Sequence, residues 1–203
     1  VAAFKPAWEK MGGTVVAENP MSYNRATDFY SGVSKALASK PDVMFVGGAS
    51  EPTALVVKQA RELGFKGGFI VMDQAKLDEM ARVVGGYAPL EGAIGVLPVS
   101  EDPGTANKAF IARFSKMFPG RMPGSEALWN YTSIHATAKA MQLAGTTTDP
   151  KAIQAKYNDA YKALPVDVNP GGVQGVDAQG GTLTSERAAA VKDGKIEVIK
   201  ASR

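Results

Sequence analysis

Cysteine is absent from the 203 residues, which removes disulfides, thiolate metal ligands and a thiol nucleophile from consideration. The absence suits an oxidising compartment as well as the cytosol, so it leaves the compartment open. Histidine occurs once: His135 stands beside Ile134 on an apolar helix face and reads as a packed or surface side chain rather than a general base. There is no G-x-S-x-G elbow, no Walker A lysine and no H-E-x-x-H pair, so nothing supports a histidine-dependent hydrolase or a zinc enzyme. No apolar run approaches the ~18 residues of a membrane span, and the opening VAAFKPAWEKMGG lacks the basic start, apolar middle and cleavage site of a signal peptide. The expectation is a soluble chain. Charge of one sign is also lacking: 23 basic and 20 acidic residues give a net +3, scattered rather than gathered into a stripe, which argues against a nucleic-acid partner.

What is there is an ordinary globular composition, 45% hydrophobic and 21% charged, enough for one substantial core or two modest lobes. The chain opens inside a helical pattern, with Val1, Phe4 and Trp8 on one face and no strand or N-cap before them, and so reads as truncated. Lys10 to Gly13 closes that helix. Thr14 to Ala17 (TVVA) reads as a short strand ended by Glu18-Asn19-Pro20, and a second helix starts near Thr27 with Phe29, Val33 and Leu37 at four-residue spacing. The stretch DVMFVGGASEP, Asp42 to Pro52, then runs as a strand over Val43 to Val46 through a glycine turn into a third helix marked by Val56, Ala60 and Leu63. FIVM, Phe69 to Met72, is another strand, Leu77 to Val84 a short fourth helix, and Ala93 to Val99 a further strand carrying Pro98. Strands and helices alternating at this spacing predict an α/β fold, a doubly wound parallel sheet with helices on both faces.

Beyond Glu101 the pattern becomes helical. Phe110, Ile111, Phe114 and Phe118 line one helix; Leu128, Tyr131, Ile134, Ala138 and Met141 line a longer one. Ile153, Tyr157, Tyr161 and Leu164 line a third, starting from an Asp149 cap with Pro150 in its first turn. The tail is glycine-rich and β-like, and Lys192-Asp193-Gly194-Lys195 is a strong hairpin turn. The predicted division is residues 1–99 as one lobe, 100–165 as a helical segment of a second, and 166–203 as a closing β segment.

The turn after Val46 sits where phosphate-binding loops are built, but Gly47-Gly48-Ala49-Ser50-Glu51-Pro52 has no third glycine and fails the dinucleotide pattern. Carboxylates stand near predicted strand ends at Glu18, Glu51, Asp73 and Glu101, where open α/β sheets bind ligands. Glu51 reads first as an acid in the first turn of a helix, stabilised by the dipole. Asp73 follows FIVM directly, at the rim of the sheet, and serves either as a site carboxylate or as an N-cap for the next helix.

The order of these pieces, DFYSGVSKALASKP, DVMFVGGASEPTALVVKQARELGFKGGFIVMDQ, LEGAIGVLPVS, the NYTSIHATAKAM helix, and the VDAQGGT and VKDGKIEVI tail, resembles the Leu/Ile/Val-binding family of ABC-transporter solute-binding proteins. The likeness runs along essentially the whole chain. It is specific as an ensemble and weak in any single motif. The resemblance implies the type I periplasmic binding fold, in which two α/β lobes joined by crossing strands trap a ligand as the hinge closes. It implies further that this chain holds one lobe from its first helix onward plus part of the other, and that the first strand of this lobe and the start of the other lobe are missing.

Carried over by position, the resemblance implies ligand contacts at Gly48, Ala49 and Ser50, where relatives often carry an aromatic. It implies pairing of Asp73 with a ligand α-ammonium, since a buried ammonium needs a charge partner, a neutral hydrogen bond from Gln74, and a cleft-facing Glu126 that would favour a ligand more polar than leucine. No catalytic residue, metal or cofactor is expected. The implied role is capture of an amino acid or related small polar ligand in the periplasm, by a monomer when complete, and delivery to an inner-membrane ABC permease. The alternatives are a ligand-sensing receptor or regulator of the same fold, and an enzyme using Asp73 with Glu51 or Glu18.

Overall fold

A computed structural model describes residues 4–22, 27–72, 74–102, 104–184 and 188–199. The chain divides into two compact units, one formed by Val1–Val96 with Ala188–Arg203 and the other by Leu97–Arg187.

The first unit is built on a five-stranded sheet. Its strands are β1 (Val43–Val46), β2 (Gly68–Val71), β3 (Ala93–Val96), β6 (Ala188–Lys192) and β7 (Lys195–Ile199), in the order β1-β2-β3-β6-β7. The first three run parallel and are connected through helices α3 (Ser50–Glu62) and α4 (Leu77–Val84), as the alternating pattern predicts. The last two form an antiparallel hairpin added to the free edge of β3. A tight turn can only produce antiparallel neighbours, so the tail makes the sheet mixed rather than wholly parallel. At that turn Asp193 has φ 52° and Gly194 φ 69°, the left-handed pair that an Asp-Gly hairpin requires.

β1 alternates in burial, with Met44 and Val46 inside, and α3 buries Thr53, Ala54, Val56, Val57, Gln59 and Ala60. Helix α2 (Tyr30–Leu37) and α4 pack on α3, and Val33, Val57, Phe69, Leu77, Met80 and Leu90 are fully enclosed. Helix α2 begins at Tyr30 rather than near Thr27. Phe29 donates its N–H to Oε1 of the buried Gln59 at 2.7 Å, and the Tyr30 N–H is taken by Asp28 Oδ1 at 3.0 Å. These two bonds fix the helix start, and the one to Gln59 reaches far away in sequence. β3 stops at Val96 instead of Val99, two residues before Pro98, which has no N–H for a ladder.

Helix α1 covers Phe4–Lys10 and buries no residue. After it, Thr14 to Ala17 forms no strand. A strand is a member of a ladder, and TVVA makes no backbone ladder bond among the described residues, so its β propensity goes unused there.

The second unit is helical: α5 (Thr105–Met117), α6 (Ser125–Ala144), α7 (Pro150–Gln154) and α8 (Tyr157–Ala163), followed by a small hairpin of β4 (Gly175–Val176) and β5 (Thr182–Leu183). Asp149 caps α7 as expected, its Oδ1 accepting from the N–H groups of Lys151 and Ala152 at 3.0 and 3.1 Å. The expected single helix after it is two, broken at Ala155-Lys156. The buried stripe of α6 also differs from the one expected: Leu128, Thr132, Ala136 and Ala140 face inward, while Ile134 is 70% exposed. Along this stripe Leu128 packs with Val99 and Phe110, Ala136 with Tyr161 and Val173, and Ala140 with Ile153 and Ala160. The tail expected as one segment from residue 166 is shared, with 166–187 in the second unit and the β6-β7 hairpin in the sheet of the first.

Candidate functional site

Parallel strands carry the site-forming loops at their carboxyl ends, so the places to look in the first unit are the turn after β1 and the loop after β2. The turn 47–50 is shaped by two glycines for different reasons. A Cβ on Gly47 would lie 2.3 Å from Met72 Sδ, so Met72, the residue just after β2, fills the space a side chain would need. Gly48 has φ 150°, inside the range that disfavours other residues. Ala49 then turns extended, with φ −66° and ψ 159°, to stand as the N-cap of α3 without a side chain that could cap.

The residue that binds the two loops together is Ser50. Its hydroxyl donates to Glu79 Oε2 at 2.6 Å, accepts from the Lys76 N–H at 3.0 Å, and lies 3.3 Å from the carbonyl oxygen of Gln74. A hydroxyl has one proton, and the short contact to the carboxylate claims it. Ser50 therefore clamps the start of α3 to the start of α4, and offers a ligand at most an acceptor lone pair. Glu79 has no part in the sequence reading, although its signal is there: it is the third residue of a helix, the capping-box position, and it answers the serine of a neighbouring helix instead of its own N-cap.

The expected site residues fall as follows. Gly48, Ala49, Ser50 and Gln74 gather at the carboxyl ends of β1 and β2, with Gln74 exposed and reached by Ser50 through its backbone oxygen. Asp73, between Met72 and Gln74 in sequence, lies outside the described residues. Glu126 belongs to the second unit, exposed in the first turn of α6, where a carboxylate complements the helix dipole. Of the acids considered as catalytic partners, Glu51 is exposed in the first turn of α3, and Glu18 accepts from Lys5 Nζ at 2.8 Å. His135 packs edge-on against Tyr131 with ring centroids 4.6 Å apart. Among the described residues no group of three or more acidic, histidine or cysteine side chains could hold a metal ion.

This arrangement of parallel strands, glycine turn and serine clamp can be set beside known proteins. Residues 1–194 match the family described as periplasmic binding protein. The chain belongs to that family. Among curated relatives of this periplasmic binding protein, an amino acid binding protein of Pseudomonas aeruginosa is 30% identical over 129 residues, 63% of this chain and 33% of the relative. A leucine binding protein from Thermotoga maritima superposes with a TM-score of 0.73 at 23% identity, covering 97% of this chain and 54% of the other. A branched-chain amino acid transporter substrate binding protein from Streptococcus pneumoniae, solved with isoleucine, gives a TM-score of 0.65 at 20% identity, covering 89% and 51%. The chain thus spans about a third of that curated relative's length and about half of those two solved structures. Its fold is the type I periplasmic binding fold, an α/β architecture with a parallel-rich sheet.

Proposed function

We propose that the protein is the solute-binding component of an ABC importer, acting in the periplasm and handing an amino acid or related small polar ligand to an inner-membrane permease. Membership of the periplasmic binding protein family across residues 1–194 carries this reading. It is supported by relatives named for amino acid and leucine binding and by a structural neighbour holding isoleucine. No helix among the described residues is long and apolar enough to cross a membrane.

In this reading the ligand lies against the loops after β1 and β2, with Gly48 allowing close backbone approach, Ala49 in contact, and Asp73 pairing with the α-ammonium. Gln74 adds a neutral hydrogen bond. The Ser50–Glu79 clamp holds the two loops in fixed relation, so ordering them costs little when the ligand arrives. Small residues at positions 49 and 50 leave more room over the ligand than an aromatic would. A thermal-shift screen of the complete gene product against amino acids, amides and small carboxylates tests the role, since a ligand that binds the native state raises its melting temperature. For a ligand so found, Asp73→Ala is expected to cost about 2–5 kcal/mol of affinity, because an ammonium would be left buried without its counter-charge. Unchanged affinity by calorimetry removes Asp73 from the site.

A further inference from the structure

The helical unit has a cavity of its own, remote in sequence from the loops after β1 and β2. It encloses about 650 Å³ between α8, the loop 169–174 and the β4-β5 hairpin, and every residue that lines it falls within 158–183. Two asparagines shape it. Asn158 of α8 accepts the Val176 N–H at 2.8 Å through Oδ1, and a Cβ on Gly175 would stand 2.3 Å from that oxygen, so only glycine lets β4 lie this close to the helix. Asn169 brackets Val173, donating from Nδ2 to its carbonyl at 2.8 Å and accepting its N–H at 3.0 Å. Leu164, Val173, Val176 and Leu183 give the cavity apolar walls.

Three donors are left over in it. Tyr161 is 4% exposed, with its ring packed against Ala136 and Val173. A buried tyrosine hydroxyl ordinarily finds a hydrogen-bond partner. This one has none among the described residues, yet it is not one of the fully enclosed unpaired atoms, so it opens onto the cavity that the residue lines. Asn158 spends its Oδ1 on Val176 and keeps both amide protons. Lys162, the next residue of α8, brings a cation with no ion pair among the described residues. No lining residue is acidic. The nearest acids in sequence are engaged elsewhere, Asp159 with Lys156 Nζ at 3.8 Å and Asp177 with the N–H groups of Gln179 and Gly181 at 2.9 and 2.7 Å.

We propose that this cavity is a second small-molecule site, which takes a monocarboxylate with an apolar body: the carboxylate meets the Tyr161 hydroxyl, the Asn158 amide and the Lys162 ammonium, and the body lies on Leu164, Val173, Val176 and Leu183. The volume is that of an ordinary ligand pocket, apolar in its walls with a few convergent polar groups. One exposed lysine and two neutral donors suit a single negative charge better than a phosphate dianion. An amine is disfavoured, because it would enter without an acid to pair with. A free amino acid is disfavoured for the same reason, so this site and the proposed amino acid site select different ligands.

The test titrates the isotope-labelled 203-residue chain with 4-phenylbutanoate and follows its amide resonances by NMR. Saturable shifts are expected at the Asn158 side-chain amide and at the backbone of Lys162, Gln174 and Val176, with none at Gly47 or Gly48. The neutral isostere 4-phenylbutanamide should bind about tenfold more weakly, and 4-phenylbutylamine should not bind. Tyr161→Phe keeps the packed ring and deletes only the hydroxyl, so it should leave the melting temperature unchanged and weaken the carboxylate about tenfold. Lys162→Gln should weaken it about threefold, since that cation is exposed, and should remove most of the dependence on salt. The complete gene product should give the same shifts. Equal binding of acid and amide would overturn the proposal, as would an acid response that survives both substitutions unchanged. A response confined to the 203-residue chain would also overturn it, because another part of the polypeptide would then occupy the cavity.

Discussion

At the scale of single residues, the best-connected side chain of the sheet unit is one to which the sequence assigns no role. Arg61 donates from Nη1 to the carbonyl oxygens of Phe65 and Gly67 at 2.8 and 2.9 Å, from Nε to Pro89 at 3.2 Å, and from Nη2 to Glu91. Its guanidinium also lies over the Phe69 ring, 4.6 Å from the centroid. The four carbonyls belong to the loops before β2 and β3, so one planar cation fixes where both strands start. Burial lowers the Arg61 pKa from its ordinary value, with Glu91 partly opposing, and the group stays charged throughout the working range of pH. Replacing Arg61 by Ala strands several carbonyls and is expected to cost about 2–4 kcal/mol of stability. Lys should recover little, having neither the fork nor the plane. Urea unfolding with an unchanged slope would measure it, and a loss under about 0.5 kcal/mol would show that water replaces these bonds.

Among the elements, those whose formation depends on local chemistry were legible. β1, α3, β2, α4 and the Asp193-Gly194 hairpin all stand where periodicity and turn residues put them. The misreadings have a common cause, a decision taken by a distant partner. TVVA has strand composition and no ladder partner among the described residues, and α2 begins where Gln59 supplies an acceptor. In α6 the spacings of three and four allow two inward faces. The face with Ile134 is the bulkier and more apolar, but close packing against Tyr161, Ile153 and Ala160 needs the small residues Ala136 and Ala140. The candidate loops were legible as strand ends, whereas the Ser50–Glu79 clamp joins residues 29 apart and was not. A comparable long-range tie holds the tail hairpin: Glu91 Oε1 and Oε2 accept from the N–H groups of Asp193 and Gly194 at 3.1 and 3.0 Å, across more than a hundred residues. Glu91→Ala should speed amide exchange at Asp193 and Gly194 about tenfold while leaving β1 and β2 unchanged. Equal protection in the variant would mean that the β3-β6 ladder alone fixes the turn.

For the whole molecule, the chain's path makes the two units unequal. The second is a single continuous stretch, Leu97–Arg187, and its core clusters among the described residues lie entirely within it. The first is discontinuous: its sheet is complete at β3 only when Ala188–Lys192 comes back from the far end of the sequence, burying Ala189 and Val191. Ending the chain after Arg187 should therefore injure the units differently. The sheet unit loses two strands, the burial of Val191, worth about 1.5–3 kcal/mol, and the cover over the β3 edge, and an uncovered edge invites aggregation. The described core clusters of the helical unit contain none of the removed residues. Limited proteolysis of the shortened protein is expected to digest residues 1–96 and leave a resistant helical fragment near 97–187, which should unfold cooperatively when isolated. Digestion of both parts together would mean that the helical unit draws its stability from the sheet unit and is not an independent body.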